Sequence, residues 1–329
     1  DLHEPYRRQR QMCIRDRYIG AMIFEGKGFL KAQTFLNMLN ANAALIIASC
    51  GMSIVMITGS IDISVGGVAA LVSMCCAVYL DYHGGNVVTA IFISLGIGLL
   101  FGLVQGYLVA YLDIQPFIVS LAGMFFARGM TTIVNTEPFN VQNEAFVKLK
   151  ETRVIVPGLG SVNKLGKYVN AYVEIGVVVA LILVIVLFCM LRWSKSGRNF
   201  YAVGGNQQSA LMLGINVKKT KFMAHLLCSL LAGIGGFVYF MHVGSGSASH
   251  ATGMEMNAIA SSIIGGTMLT GGVGNIIGTL FGVLSLSTIQ NIVSSAGLDQ
   301  AWWTGITIAA MLCLFLVIQS VVMSRKKKA

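Results

Sequence analysis

A single carboxylate stands in a glycine-punctuated break between two long apolar runs. The break reads Thr58-Gly59-Ser60-Ile61-Asp62-Ile63-Ser64-Val65-Gly66-Gly67, and no charged residue occurs in residues 36–57 before it or 63–80 after it. An acid in such surroundings is costly unless something satisfies or uses it. One interpretation is that Asp62, with Ser64 close behind, caps the helix that follows. The other is a polar pathway at membrane depth, where glycines free the backbone from helical geometry. The two roles are compatible.

The composition predicts a polytopic membrane protein. The chain has 329 residues, of which 55% are hydrophobic and 11% charged, and its mean hydropathy is +0.75. Its apolar runs predict an all-α protein of about nine to ten transmembrane helices, since each span needs about 20 residues. The net charge of +10 comes from basic residues in short loops and at the C-terminus. That placement is the positive-inside pattern of membrane proteins, so we expect contact with lipid and no nucleic-acid partner.

The charged segments and apolar runs together define the predicted organisation. Residues 1–17 are rich in arginine and lack the apolar core of a signal peptide, so we interpret them as non-native or disordered. Residues 18–34 hold an apolar piece too short to span, which we interpret as the remnant of a first span and a linker. The membrane domain covers 35–322, and a basic tail follows at 323–329. The spans are predicted at about 36–57, 63–80, 87–112, 116–134, 171–191, 222–243, 256–270, 273–295 and 301–322.

Basic residues orient these spans. Residues 192–221 contain basic residues and no acid, and the chain ends in Arg325-Lys326-Lys327-Lys328-Ala329. Both segments are therefore expected in the cytoplasm. Counting spans back from there places residues 135–170, where basic and acidic residues are mixed, on the outer side of the membrane.

The sequence around the break resembles a second stretch later in the chain. Sliding the sequence by 212 residues aligns Thr58-Gly59 with Thr270-Gly271 and Gly66 with Gly278, and Gly274 then stands where Asp62 stood. Duplicated halves with matched glycine breaks indicate a central pathway in transporters. We therefore predict two glycine-broken, repeat-related segments. The predicted pathway residues are Asn42, Ser49, Ser53, Thr58, Gly59, Ser60, Asp62, Ser64, Gly66, Thr270, Gly271, Gly272 and Gly274.

Patterns that encode catalysis do not occur in the sequence. There is no P-loop, no His-Glu-x-x-His pair and no paired cysteine spacing, so we expect no catalytic residue, no metal site and no cofactor bound by this chain. Ion-driven carriers usually need ionisable groups inside their spans, and here the candidates are Asp62, Arg128 and Glu255. Arg128 is interpreted as a snorkelling or helix-packing residue, and His225 and His242 as residues with polar core contacts.

A short helix is predicted in the basic cytoplasmic segment. It runs from Gln207 to Leu213, is capped by Asn206 and ends at Gly214. It is expected to present Ala210, Leu211 and Leu213 at the cytoplasmic surface. An apolar-tipped helix in a basic loop suits docking into a groove of another protein. The alternative is an interfacial helix that lies on lipid headgroups.

The motifs resemble those of one family, the inner-membrane permease subunits of bacterial ATP-binding-cassette importers for monosaccharides of the ribose, xylose and galactose type. The resemblance covers nearly all of residues 35–322. Its motifs are the first break, Gly197-Arg198 with Tyr201-Ala202-Val203-Gly204-Gly205-Asn206, Gly214-Ile215, and Ile263-Ile264-Gly265-Gly266-Thr267 followed by Gly271-Gly272-Val273-Gly274. Residues 117–129 and Trp302-Trp303 look most like the galactofuranose permease branch.

The resemblance implies a transport subunit rather than an enzyme, located in the bacterial inner membrane. It implies a pentose, galactose or galactofuranose as substrate, with an ion-coupled carrier of a small polar solute as the alternative. Its implied partners are two cytoplasmic ATPases that use the ATP, a periplasmic sugar-binding protein, and a second permease copy or a sister permease. It also assigns ATPase coupling to the 206–214 helix, through Gly205, Asn206, Ala210, Leu211, Leu213 and Gly214.

Overall fold

The fold is a bundle of long apolar helices, with four strands and one short helix at one end of the bundle in the part of the chain that the structure describes. The computed structural model describes residues 32–162, 168–295 and 301–328, so the predicted segment 1–17 and nearly all of the predicted remnant 18–34 lie outside the described residues. The helices are α1 Ala32–Ile57, α2 Val65–Tyr82, α3 Val87–Ala110, α4 Pro116–Val134, α5 Glu144–Glu151, α6 Ile175–Trp193, α7 Lys195–Gly205, α8 Gln207–Met212, α9 Val217–Val243, α10 Met254–Ile264, α11 Ile276–Ser295 and α12 Ala301–Lys328. The strands are β1 Phe139–Asn140, β2 Arg153–Val162, β3 Tyr168–Glu174 and β4 Ser245–Gly246.

Helices long and apolar enough to cross a membrane confirm a polytopic helical protein. Within the described residues there are 7 of them, namely α1, α2, α3, α4, α6, α9 and α11. The predicted span at 256–270 is wrong as a single helix, because α10 has only 11 residues. At 1.5 Å per residue it extends about 16 Å, roughly half of the hydrocarbon core. Gly265 and Gly266 follow its last turn, and Gly266 has a φ of 87°.

Glycines let α9 pack closely against its neighbours in the centre of the bundle. A Cβ at Gly98 of α3 would come within 2.7 Å of the Ser229 carbonyl oxygen, and one at Gly102 within 2.9 Å of the Leu226 Cα. Further along α9, a Cβ at Gly236 would come within 2.8 Å of the Ala69 Cα in α2. Because glycines have no side chain, the backbones of these helices can come into direct contact. This close packing stabilises helix association in lipid.

The segment between α4 and α6 departs from the all-α expectation. There β2 and β3 pair antiparallel, with Arg153 opposite Glu174 and Val156 opposite Ala171. Valine, isoleucine and tyrosine in these strands favour extended backbone, and the Arg153 guanidinium lies 4.2 Å from the centre of the Tyr172 ring. This hairpin, β1, β4 and α5 occupy the end of the bundle opposite α7 and α8. The basic residues beside α7 and α8 identify their end as cytoplasmic, and hence the hairpin end as the outer one.

Candidate functional site

The first break begins where α1 stops. The Thr58 hydroxyl donates to the Val55 carbonyl at 2.7 Å, and Gly59 has a φ of 79°, a left-handed conformation that glycine adopts without strain. The chain then stays non-helical until α2 starts at Val65. Gly59 is exposed at the cytoplasmic end, whereas Ser60 and Asp62 are buried. The break therefore leads from the cytoplasmic surface back into the bundle.

Asp62 orders the turn that precedes α2. Its Oδ1 accepts hydrogen bonds from the Ser64 N–H at 3.0 Å and from the Ser64 hydroxyl at 2.6 Å, and the side chain is fully buried. Ser64 is the residue at the N-cap, and its own side chain makes no capping hydrogen bond. The predicted capping role thus takes a modified form: the carboxylate satisfies the N–H of the capping residue rather than an N–H in the first turn of α2.

The second break meets the first. The Gly272 N–H donates to the Ile57 carbonyl at 2.8 Å, so the end of α1 is bonded directly to the segment between α10 and α11. A Cβ at Gly271 would lie 2.9 Å from the Gly59 nitrogen. Gly271 and Gly272 have φ values of 85° and 73°. The two similar stretches of sequence therefore lie in contact. Their origin as repeats stays a prediction.

The end of α7 completes this contact, and we call the meeting of Ile57, Gly59, Gly204, Gly271 and Gly272 the glycine junction. A Cβ at Gly204 would overlap the Ile57 carbonyl oxygen and lie 2.6 Å from the Gly272 nitrogen. A Cβ at Gly271 would in turn lie 2.7 Å from the Gly204 carbonyl oxygen. Only glycines permit three backbones to approach this closely.

A tyrosine fastens α7 to the second break. The Tyr201 hydroxyl donates to the Gly274 carbonyl at 2.9 Å. Burial raises the pKa of this phenol above its ordinary value, and the positive charge of Arg192 opposes the shift. Because the protonated form is favoured, the hydroxyl stays available as a donor.

The short helix that follows the junction is confirmed as α8. The Asn206 side chain accepts a hydrogen bond from the Ser209 N–H at 2.9 Å, and the chain leaves the helix through Gly214, whose φ is 76°. Leu211 and Leu213 are 61% and 78% exposed, as expected. The expectation for Ala210 is wrong: it is only 1% exposed, because it lies on the face of α8 that turns inward. Met212 takes its place at the tip, with 81% of its surface exposed.

The hydroxyl groups predicted on α1 lie against α10 and α11. The Ser53 hydroxyl is 3.0 Å from that of Ser262 and 2.6 Å from that of Thr279. The Asn42 amide donates to the Ser287 hydroxyl at 2.9 Å, and Ser49 accepts through its carbonyl from Ser262 at 3.1 Å. Asp62 and Ser64 face α3 instead, where the Ser64 hydroxyl is 3.2 Å from Gln105 Oε1. The predicted pathway residues therefore do not line one surface: some lie between α1 and α10 or α11, some face α3, and Gly59, Gly271 and Gly272 lie where the two breaks meet, beside exposed Thr270.

Arg128 makes structural contacts, but with a non-helical segment rather than with the neighbouring helix that was predicted. Its guanidinium donates to the carbonyls of His250 at 2.5 Å and Ala251 at 2.9 Å, which fixes the segment that leads into α10. Glu255, in the first turn of α10, places its carboxylate where a Cβ at Gly66 would be. The predicted pathway residue Gly66 is therefore a glycine for a steric reason, namely the approach of α10 to the start of α2.

Several residues of the site were not found from the sequence. Gly204 and Tyr201 carried the resemblance but received no role, because their partners lie far away in the chain; Gly274, for example, is 73 residues from Tyr201. Gln105 and His225 come close to the first break from α3 and α9. Gln105 received no role from the sequence, and His225 was assigned polar core contacts but no place beside the break; the signal for both is a polar residue within an apolar run.

Comparison with known proteins decides the family. A family model described as branched-chain amino acid transport system / permease component matches residues 34–316. The chain belongs to this permease family. It is 35% identical to the inner membrane ABC transporter permease protein YjfF of Escherichia coli strain K12, over 89% of this chain and 85% of that protein. No solved structure matches.

Two further relatives carry names that state a substrate. The fructose import permease protein FruG of Bifidobacterium longum is 34% identical over 86% of this chain and 81% of its own length. The ribose import permease protein RbsC of Escherichia coli strain K12 is 32% identical over 83% of this chain and 81% of its own length. The resemblance to permeases of bacterial ABC importers is confirmed. The permease is a transport subunit and not an enzyme.

The role of Asp62 in the permease can be tested by one amide substitution. We expect Asp62→Asn to retain most transport, because an amide oxygen can accept both Ser64 hydrogen bonds. Asp62→Ala should lower the free energy of unfolding by about 1–3 kcal/mol, since it leaves the buried Ser64 N–H without its acceptor. Uptake and thermal melting in detergent measure the two effects. A tenfold loss corresponds to about 1.4 kcal/mol. If Asp62→Asn is expressed normally and its transport rate falls by about tenfold or more, the negative charge itself is needed.

Proposed function

We propose that this permease forms the membrane pathway of an ATP-driven importer that carries a monosaccharide across the bacterial inner membrane. The observation that carries the proposal is the extent of similarity to the fructose and ribose import permeases, at 34% and 32% identity over more than four fifths of this chain. The family description mentions branched-chain amino acids. The named relatives favour sugars, and a neutral sugar needs hydroxyl and amide partners rather than charges.

The finer choice of sugar rests on fewer features. Ribose, fructose and xylose are named for relatives at 28–34% identity, and residues 117–129 with Trp302-Trp303 look most like the galactofuranose branch. We propose a pentose or a hexose of the galactose or galactofuranose kind as substrate. Competition between labelled and unlabelled sugars in an uptake assay would rank them.

The partners follow from the two ends of the bundle. We propose that a cytoplasmic ATPase docks on the apolar tip of α8, formed by Leu211, Met212 and Leu213, because a groove that accepts such a tip would bury it. A periplasmic sugar-binding protein would dock at the outer end, and a second permease copy or a sister permease would complete the pathway.

The glycine junction supplies a route from ATP to the pathway. ATP binding would close the paired ATPases and displace α8, which follows directly on α7. Because Gly204 of α7 lies against both breaks and Tyr201 is bonded to the second, we expect a shift of α7 to move the end of α1 and the second break together. Close-packed backbones of this kind rearrange between discrete states rather than deform. ATP and the loaded binding protein bias that equilibrium by binding one state better.

Uptake in proteoliposomes tests the importer directly. The permease is reconstituted with a neighbouring ATPase and binding protein, and labelled sugar is measured with and without ATP. We expect accumulation only when both ATP and the binding protein are present. The rival is an ion-coupled carrier, for which the described spans offer few ionisable groups. Accumulation driven by a proton or sodium gradient without ATP would establish that rival.

A further inference from the structure

Polar atoms without partners surround the buried side of the first break. Gln105 Nε2 and both ring nitrogens of His225 have no hydrogen-bond partner among the described residues, and Asp62 Oδ2 has none besides the neighbouring Cys228 thiol. Asp62 and His225 are 0% exposed and Gln105 is 3% exposed. The three side chains come from the break, from α3 and from α9: Ser64 contacts both Asp62 and Gln105, and His225 interacts electrostatically with Asp62.

Contacts among these groups show that they form one cluster. Ser64 links Asp62 to Gln105, with oxygen distances of 2.6 Å and 3.2 Å. Its single hydroxyl hydrogen can serve only one of these contacts at a time, so either orientation of the Gln105 amide leaves one amide atom unpaired. On α9, His225 and Cys228 both lie within electrostatic reach of the Asp62 carboxylate.

The number of unpaired atoms is too large for an empty site. Each buried polar group without a partner costs about 1–3 kcal/mol, and the net stability of a folded domain is only about 5–15 kcal/mol. A neutral imidazole always has one N–H donor and one acceptor nitrogen, and Asp62 Oδ2 is an acceptor. Such a mixture of donors and acceptors suits water, which makes two to four hydrogen bonds in buried sites.

A metal ion does not fit the same groups. The described residues contain no group of three or more histidine, cysteine, aspartate or glutamate side chains arranged to hold one. A cation would also leave the amide nitrogen and the imidazole N–H without acceptors. Water can both donate and accept, so it can serve each kind of atom in the cluster.

We propose that Asp62, Gln105 and His225 bind ordered water, which joins the first break to α3 and α9 inside the membrane. The water forms the hydrogen bonds that these side chains do not make with one another. Its consequence is mechanical: the break can change its position by exchanging water contacts, without leaving a carboxylate unpaired in the bundle. The site is separate from the glycine junction and does not depend on the identity of the transported solute.

X-ray hydroxyl-radical footprinting of the purified full-length permease in nanodiscs tests this proposal. Radiolysis of a bound water oxidises side chains beside it, and Cys228 is the reactive side chain next to Asp62. Cys76 is the matched control, since both cysteines are 0% exposed and the Cys76 thiol is bonded to the Ala90 carbonyl in another part of the bundle. We expect Cys228 to be oxidised several-fold faster than Cys76, with ¹⁸O incorporated from labelled water. Equal, slow oxidation of the two would overturn the proposal.

A second comparison separates bound water from leakage of bulk solvent. His225→Phe fills the site with an apolar ring, so Cys228 oxidation should fall to the rate of Cys76, while exposed Met212 reacts as before. Undiminished Cys228 oxidation in His225→Phe would show that the radicals come from elsewhere and would also refute the site. If this variant does not fold, the comparison of the two cysteines in the unmodified protein still decides.

Discussion

Replacing Gly204 by alanine should abolish most transport while a matched glycine elsewhere tolerates the same change. The added methyl group would overlap the Ile57 carbonyl oxygen and press on the Gly272 nitrogen. Both are backbone atoms, which cannot move aside as a flexible side chain can. Overpacking at such a site costs about 1–3 kcal/mol, and here relief requires α7 to separate from both breaks. We expect uptake to fall by about tenfold or more, since each 1.4 kcal/mol changes an equilibrium tenfold.

The control for Gly204→Ala is Gly96→Ala in α3. A Cβ at Gly96 meets nothing within 4 Å, and its backbone is helical, so alanine should be neutral or slightly stabilising. Uptake and thermal melting are measured for both variants. Normal uptake by Gly204→Ala at normal expression would show that the close approach at the glycine junction is not needed for transport. A loss in both variants would point to a general sensitivity of glycine positions.

Apolar runs predicted most of the fold because lipid imposes a simple rule on the backbone. Every peptide group in a span must be bonded internally, so long apolar runs become helices. The prediction of one helical span at 256–270 was wrong, because α10 ends at Ile264. A glycine-rich segment then continues to the glycine junction. The paired strands β2 and β3 were missed because the prediction relied on hydropathy, whereas their signal is the enrichment of β-branched and aromatic residues.

The candidate site could be predicted only where its signals were local. Asn206 and Gly214 bound α8 through contacts within a few residues, and the sequence alone located both. The inward position of Ala210 depends on how α8 packs, and a six-residue helix has too few turns for a pattern to show its buried face. The glycine junction joins segments near positions 58, 204 and 271, so its existence depends on tertiary packing that no single stretch encodes.

Charging the tip of α8 should uncouple the permease from ATP. Leu211 is 61% exposed on this tip, and burying it in a partner's groove contributes about 1.5–3 kcal/mol. Leu211→Glu removes this contribution and adds a carboxylate that would have to leave water on docking. We therefore expect ATPase binding to weaken by at least about tenfold and ATP-driven uptake to disappear. The protein should still reach the membrane, since Leu211 makes little contact with the bundle.

Ile155→Glu provides the matched comparison for the tip. Ile155 is 60% exposed on β2, at the opposite end of the bundle from α8, so the same charge is added to an apolar side chain of equal exposure. Pull-down of the ATPase by each purified variant separates the two ends: Ile155→Glu should bind as the unmodified chain does, and Leu211→Glu should not. If Leu211→Glu binds the ATPase normally and supports normal uptake, α8 is an interfacial helix that rests on lipid headgroups. In that case the ATPase has to contact a different part of the cytoplasmic surface in order to move the glycine junction.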